Sequence, residues 1–266
     1  MSSALSAGDS PTTYRGLHDM QDWWAWTEGE EARLMRHLWA QFLRPGDLAF
    51  DIGGNVGAKT SVMRGLGARV VFVEPLLAFG PEFVPEFFWR WGKDRDVMQV
   101  PKAVTWLPEV VLSVNQFMPE YSSIDHAWMT ESSHAPDKAP GNTWYSPGSL
   151  IRRAVPGVTL DALIGIYGLP AFMKVDVEGH ENAALGTLHH AVPALNMEFH
   201  ADWVPIPAIE HLDRLGDYEW NYCLDGGGEL VLPEWGCRGR LLEHMKAHLT
   251  ATGPGSWGDV YGRLAG

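Results

Sequence analysis

The sequence predicts an α/β domain wound on a largely parallel sheet. Short, continuous apolar runs such as Leu48–Ile52 and Arg69–Val73 alternate with stretches of helical periodicity, the pattern of buried parallel strands and their crossover helices. A glycine-rich turn, Gly53 to Gly57, lies between the first run and the helix that follows it. The third observation is the composition: 45% hydrophobic and 20% charged in 266 residues, with 29 Gly and 18 Pro dispersed along the chain, is that of an ordinary globule large enough for a sizeable core. Collagen, coiled coil and wholesale disorder are excluded.

Charge narrows the function classes. Twenty Lys and Arg against 33 Asp and Glu give a net charge of -13, which repels a phosphate backbone and an anionic bilayer, so neither nucleic acid nor membrane is an expected partner. No apolar run reaches the roughly 18 residues of a membrane span, and Met1 to Ser10 has neither a basic nor an apolar leader region, so a cytoplasmic location is expected. Cys223 and Cys237 form no CxxC pair and read as reduced thiols.

Taken in order, residues 1–13 are small and polar and read as a flexible terminus, and residues 14–46 as an N-terminal helical cap. Within the cap, Leu34, Met35, Leu38, Trp39, Phe42 and Leu43 recur at helical spacing from Glu28 to Leu43, and Pro45-Gly46-Asp47 ends the helix. Leu48 to Ile52, the glycine turn, a helix to Gly67 and the strand Arg69 to Val73 make one βαβ unit. A helix over Pro81 to Trp91 and strands over Val97 to Val104 and Val110 to Val114 follow. Residues 115–150 then break the alternation with Ser122, Ser123, His126, Trp128, His134, Trp144 and Tyr145 among prolines, the composition of an insert that shapes a substrate pocket. The alternation resumes with a helix over Thr159 to Tyr167, a strand over Ala171 to Val177, a helix over His180 to His190 and a strand over Ala194 to Phe199. The remainder predicts a helix near Ile206 to Leu215, β-like runs at Tyr218 to Leu224 and Glu229 to Leu232, a basic helix from Arg238 to Leu249, and a last strand around Asp259 to Tyr261.

Three ligand classes compete for the turn Asp51-Ile-Gly-Gly-Asn-Val-Gly57-Ala-Lys-Thr60, where a helix N-terminus and converging backbone N–H groups favour an electron-rich ligand. A Walker phosphate loop needs Gly directly before Lys-Ser/Thr, and Ala58 intervenes. A nicotinamide fingerprint ending at Gly54 and Gly57 would place its first glycine at Ile52, so that match fails as well. What remains is acidic-x-Gly-x-x-x-Gly, the pattern of an S-adenosylmethionine site. Glu74, 20 positions after Gly54 at the end of the next strand, is placed to accept hydrogen bonds from a ribose diol.

Asp51-Ile-Gly-Gly-Asn-Val-Gly, Val73-Glu74-Pro75 and Lys174-Val-Asp-Val-Glu-Gly-His-Glu181, in this order, resemble the FkbM-type family of S-adenosylmethionine-dependent methyltransferases. The likeness spans roughly residues 40–262, and Thr159-Leu-Asp161, Glu198-Phe-His200 and Gly258-Asp-Val260 also fit its pattern. The resemblance implies a class I methyltransferase fold, a Rossmann-like seven-stranded sheet of order 3-2-1-4-5-7-6 with strand 7 antiparallel and helices on both faces. Residues 47–262 would form this domain. It further implies O-methylation of a natural-product or glycan hydroxyl. By motif, Asp51, Gly53, Gly54, Asn55, Gly57, Glu74 and Pro75 would contact S-adenosylmethionine, or its product S-adenosylhomocysteine, with Ala103 near the adenine.

A second constellation falls at adjacent strand ends: Asp176, Glu178, His180 and Glu181, then Glu198 and His200. Methyl transfer needs an aligned acceptor and a group to take its proton. His200 is the expected general base, with Asp176 and Glu178 positioning the acceptor or the base, and a carboxylate base is the rival. The same carboxylates could hold a divalent metal, and Glu181 is read as a solvent-facing residue on the first turn of its helix. His189, His190, His244 and His248 read as helix-end or surface residues, and the tryptophans, Trp23, Trp24, Trp26, Trp89 and Trp91 among them, as packing groups. Other classes remain open: a catalytically silent nucleoside-binding module, against which the intact Asp176 to Glu181 run argues, and a nicotinamide oxidoreductase, which lacks its glycine.

Overall fold

The computed structural model describes residues 29–81, 83–115, 122–125, 128–129, 150–226, 228–252 and 256–266. Trp23, Trp24, Trp26, His126, His134, Trp144 and Tyr145, and most of the 115–150 insert, lie outside these residues. Among the described residues, no helix is long and apolar enough to cross a membrane.

The strands are β1 (Leu48–Ile52), β2 (Arg69–Val73), β3 (Val97–Val100), β4 (Ala103–Val104), β5 (Glu109–Asn115), β6 (Leu150–Val158), β7 (Phe172–Val175), β8 (Ala194–His200), β9 (Tyr218–Leu224) and β10 (Trp257–Leu264). The helices are α1 (Glu30–Trp39), α2 (Ala58–Gly65), α3 (Pro85–Trp91), α4 (Leu160–Tyr167), α5 (Glu181–Gly186), α6 (Ile206–Leu215) and α7 (Arg238–Thr252), and a 3-10 turn covers Pro75–Phe79. Seven strands form one sheet in the order β3-β2-β1-β7-β8-β10-β9. Numbered within that sheet alone, the order is 3-2-1-4-5-7-6, and β10 runs antiparallel to both its neighbours. This is the class I Rossmann-like methyltransferase fold.

The core divides between the two faces because side chains alternate along each strand. Phe50, Ile52, Val71, Val73, Met173, Val175 and Met197 pack against α4, α5, α6 and α7. Ala49, Val70, Phe72 and Phe172 point the other way and pack against α1, α2 and α3. All five residues of β1 are buried, which is why the central strand reads as a continuous apolar run. α1 begins with Glu30 and Glu31 and closes with Arg36 and His37, charges that suit the helix dipole, and buries Met35, Leu38 and Trp39.

Four expectations are corrected. The single strand expected over Val97 to Val104 is two, in different sheets: after Val100 the chain leaves the main sheet, and β4 joins β5 and β6 in a separate three-stranded sheet. β6 was not expected at all, since Arg152 and Arg153 interrupt its apolar pattern and Pro156 and Gly157 demote it as a strand. The helix read over His180 to His190 is only Glu181–Gly186, because the Thr187 hydroxyl binds the Ala184 carbonyl and the backbone N–H of Leu160, and His189 turns to Asp161 through both backbone and ring. Glu229 to Leu232 is no strand. Val231 donates one bond to the Tyr222 carbonyl, and Leu232 is held by the Asn221 side chain instead of a ladder. Cys223 is buried and Cys237 exposed, both free thiols as read.

Candidate active site

The carboxyl ends of β1, β2 and β7 open on one cleft, lined by Gly53, Asn55, Glu74, Pro75, Lys102, Ala103, Val104, Leu112, Ser122, Ser123, Ile124, Asp176, Val177, Glu178 and His180, with Ile52 and Val73 at its floor. Six of the expected cofactor and catalytic residues plus Ala103 thus come together. Asp51, Gly54, Gly57 and His200 do not line it.

The reason lies in the glycine turn. Gly53 and Gly54 donate to the Val73 carbonyl, Gly57 donates to the Gly54 carbonyl, and the Asn55 N–H donates to Glu74 Oε2 at 2.9 Å. Glu74 Oε1 meanwhile accepts from Leu76 N–H at 2.9 Å and caps the 3-10 turn. Of the turn's N–H groups, that of Asn55 meets a side chain, the Glu74 carboxylate, and those of the three glycines are spent on backbone carbonyls. Burial pushes Glu74 up to about 7, against the two N–H bonds and the Lys174 charge that pull it down.

The glycines serve packing. A Cβ on Gly53 would lie 1.7 Å from the Asp176 carbonyl oxygen, so only glycine lets the β1 turn approach the β7 loop. Gly54 faces the Phe72 ring, and Gly57, at φ +83, sits against Trp91 and Phe87. Asp51 is fully buried beneath the turn, accepting the Thr60 hydroxyl at 2.6 Å and facing the Lys174 ammonium at 3.7 Å. It holds α2 and β7 to β1.

Lys174 is the charge centre of the floor. Its ammonium lies 2.9 Å from Asp176 Oδ2 and donates to the Gly53 carbonyl at 3.1 Å. Burial disfavours its charge, but Asp176 and Asp51 together outweigh that and hold it above the usual lysine range. Burial likewise raises Asp176, yet Lys174, Lys59 and a hydrogen bond with Glu198 keep it below the usual carboxylate range. Glu198 behaves oppositely: burial and the Asp176 and Asp259 charges push it well up. Glu178 is raised by burial and by Glu198, Asp176 and Glu181.

Glu181 corrects the expectation of a solvent-facing residue. It is 3% exposed, and its Oε1 accepts from the Val177 and Gly179 N–H groups at 3.0 and 3.3 Å, with burial pushing it up to about 8. That carboxyl stitches the β7 loop into a turn with Glu178 at φ +53 and Gly179 at φ +88. The loop is clamped from outside: Ser123 donates to the Glu178 carbonyl at 2.6 Å, Trp203 donates to the Gly179 carbonyl at 3.0 Å, and the Trp128 ring lies where a Gly179 side chain would be. His200 sits at the end of β8, 7% exposed, with Nε2 3.3 Å from Glu198 Oε2 and its ring 6.0 Å from that of Trp128. Burial lowers its basicity.

Sequence reasoning missed the roles of Lys174, Trp128 and Trp203. The lysine had a signal, a lone charge inside the apolar run Phe172–Val175. The tryptophans act through a backbone contact that no pattern announces.

No family model matches this chain, and no curated protein matches it. Solved structures do. Precorrin-6y C5,15-methyltransferase from Geobacter metallireducens aligns over 86% of both chains with 10% identity and a TM-score of 0.44. A TehB-like SAM-dependent methyltransferase from Corynebacterium glutamicum aligns over 89% of this chain and 88% of its own with 12% identity and a TM-score of 0.42. The plantazolicin methyltransferase BpumL, solved with S-adenosylhomocysteine, aligns over 90% and 85% with 9% identity and a TM-score of 0.38. Likeness at this level carries no argument about activity, and the fold class rests on the strand order and on the single antiparallel strand.

Proposed function

We propose that the chain is an S-adenosylmethionine-dependent methyltransferase that methylates a hydroxyl on a small natural product or glycan. One observation carries the reading: among the described residues the cleft presents Glu74, Asp176 and Glu178 against Lys102, and the N–H groups of its glycine turn are already taken by Glu74 and by backbone carbonyls. Such a cleft offers little to the pyrophosphate of NAD or the triphosphate of ATP, and the Asp176 carboxylate suits a nucleoside whose tail carries a positive charge. The residues present fit S-adenosylmethionine. Glu74 would take the ribose diol with its remaining lone pairs, Ala103 and Val104 would flank the base, and Asn55 and Gly53 would hold the amino-acid tail. When bound, this cofactor supplies an electrophilic methyl group on a sulfonium.

The protein's own share is alignment and proton uptake. Asp176, on the cleft wall and held ionised by Lys174, accepts the proton that the acceptor hydroxyl loses. In this reading the base is the rival carboxylate, because His200 is not among the residues that line the cleft. Glu178, fixed by its clamped loop, orients the acceptor. Titration calorimetry of the full chain with S-adenosylmethionine, S-adenosylhomocysteine, NAD and ATP tests the reading. Binding of the first two alone is expected, and binding of NAD or ATP in their place would overturn it.

A further inference from the structure

We propose that the ends of β7 and β8 form a divalent-cation site, with Glu178, Glu198 and His200 as protein ligands and Mn2+ or Mg2+ as the ion. The inference rests on reading this cleft as a methyl-transfer site, and it adds a cation to it. One donor atom from each of the three residues lies within 4.8 Å of the other two. His200 Nε2 and Glu198 Oε2 are 3.3 Å apart, close to the separation of neighbouring ligands around an ion with bonds of about 2.1 to 2.3 Å.

The donor set is mixed, not merely acidic. An imidazole that is 7% exposed joins two carboxylates, and the three come from two different strand ends. Each is fixed by its own piece of backbone. Glu178 is set by the left-handed turn that Ser123, Trp128 and Trp203 hold, and Glu198 and His200 are set by the β8 ladder to β10, where Glu198 faces Asp259 and His200 faces Trp257. Ligands held this way need little rearrangement to close on an ion.

Asp176, Glu178, Glu181, Glu198 and Asp259 are gathered at these strand ends, with the Lys174 ammonium already engaged by Asp176 and Asp51. Two carboxylates and one imidazole suit a hard to borderline ion, whereas the soft thiolates that select other metals are absent from the set. An acceptor hydroxyl bound to the ion would become more acidic, as metal-bound water does, so that an ionised carboxylate such as Asp176 suffices as its base.

The test is titration of the full chain with Mn2+, without nucleoside, reading free Mn2+ by electron paramagnetic resonance. One saturable ion per chain is expected, displaced by excess Mg2+ and weakened at least tenfold in both Glu178→Gln and His200→Ala. Glu178→Gln, on the partly exposed loop, serves if the buried His200→Ala fails to fold. Absence of stoichiometric binding, or equal affinity in parent and variants, would overturn the proposal. Nucleoside binding without Mn2+ binding removes the ion and leaves the methyltransferase reading, and Mn2+ binding without nucleoside does the reverse.

Discussion

Replacing Lys174 by Met keeps the stem of the side chain and removes its charge from between Asp51 and Asp176. The lysine is 3% exposed and Asp51 is 0% exposed, so the substitution strands at least one carboxylate with no route to water. Breaking a buried pair in this way costs about 3–5 kcal/mol. Asp176 is 24% exposed and can be partly rehydrated, so the lower end, about 3 kcal/mol, is the better expectation. For a chain of this size that is a fall in Tm on the order of 10 °C. Urea unfolding followed by tryptophan fluorescence measures it. The sign of the pH effect adds a second check. Asp176 is held below its ordinary value, so the stability it gains from Lys174 is present above about pH 4 and lost as pH falls through the lower folded value. The gap between parent and Met variant should therefore narrow in acid. A loss under about 1 kcal/mol at pH 7, or a gap that widens in acid, would refute the claim that Lys174 neutralises the floor of the site.

Glu74→Ala should weaken S-adenosylhomocysteine by about 1.5 to 3 kcal/mol, the range for hydrogen bonds to a charged group, read by calorimetry; unchanged affinity would take Glu74 out of the site. Glu74 and Glu181 are raised to about 7 and about 8, so the neutral folded forms are favoured and the stability they bring, full below about pH 4.5, is lost as pH rises through those values. The Tm of the unliganded chain should fall between pH 5.5 and 8.5, and Glu181→Gln, which keeps the acceptor for Val177 and Gly179, should flatten the profile; a Tm that climbs over this range contradicts the assignment. Gly53→Ala, with a Cβ 1.7 Å from the Asp176 carbonyl oxygen and φ at +72, should leave little folded protein by circular dichroism, and a variant of normal stability would show the approach of the two turns to be wrong. Asp176→Asn should weaken S-adenosylmethionine more than S-adenosylhomocysteine, because only the former carries the sulfonium charge, and equal losses in paired titrations would place that charge elsewhere.

The centre of the main sheet was legible because β1, β2 and β7 are short, mostly apolar runs ended by Gly53, by Glu74 and Pro75, and by Asp176. The second sheet was hidden: β6 carries Arg152, Arg153, Pro156 and Gly157, and its pairing with Glu109–Asn115 is antiparallel across a long excursion that no local pattern encodes. At the site, Gly53, Asn55, Glu74, Pro75, Ala103, Asp176 and Glu178, singled out by motif spacing, line one cleft. That spacing misjudged Glu181, whose carboxyl looks like a surface group in sequence but satisfies two backbone N–H groups, and it did not show that Asp51 accepts the buried Thr60 hydroxyl. Whether a carboxylate faces a ligand or its own backbone depends on the side-chain partner, and a one-dimensional pattern holds no partner.

The measurement that bears most directly on the account is a crystal structure of the chain grown with S-adenosylhomocysteine. The expected density places the ribose hydroxyls against Glu74, the base beside Ala103 and Val104, and the thioether facing Asp176 and Glu178. A nucleoside bound elsewhere, or a cleft still closed by Glu74 with no nucleoside in it at saturating concentration, would contradict the account.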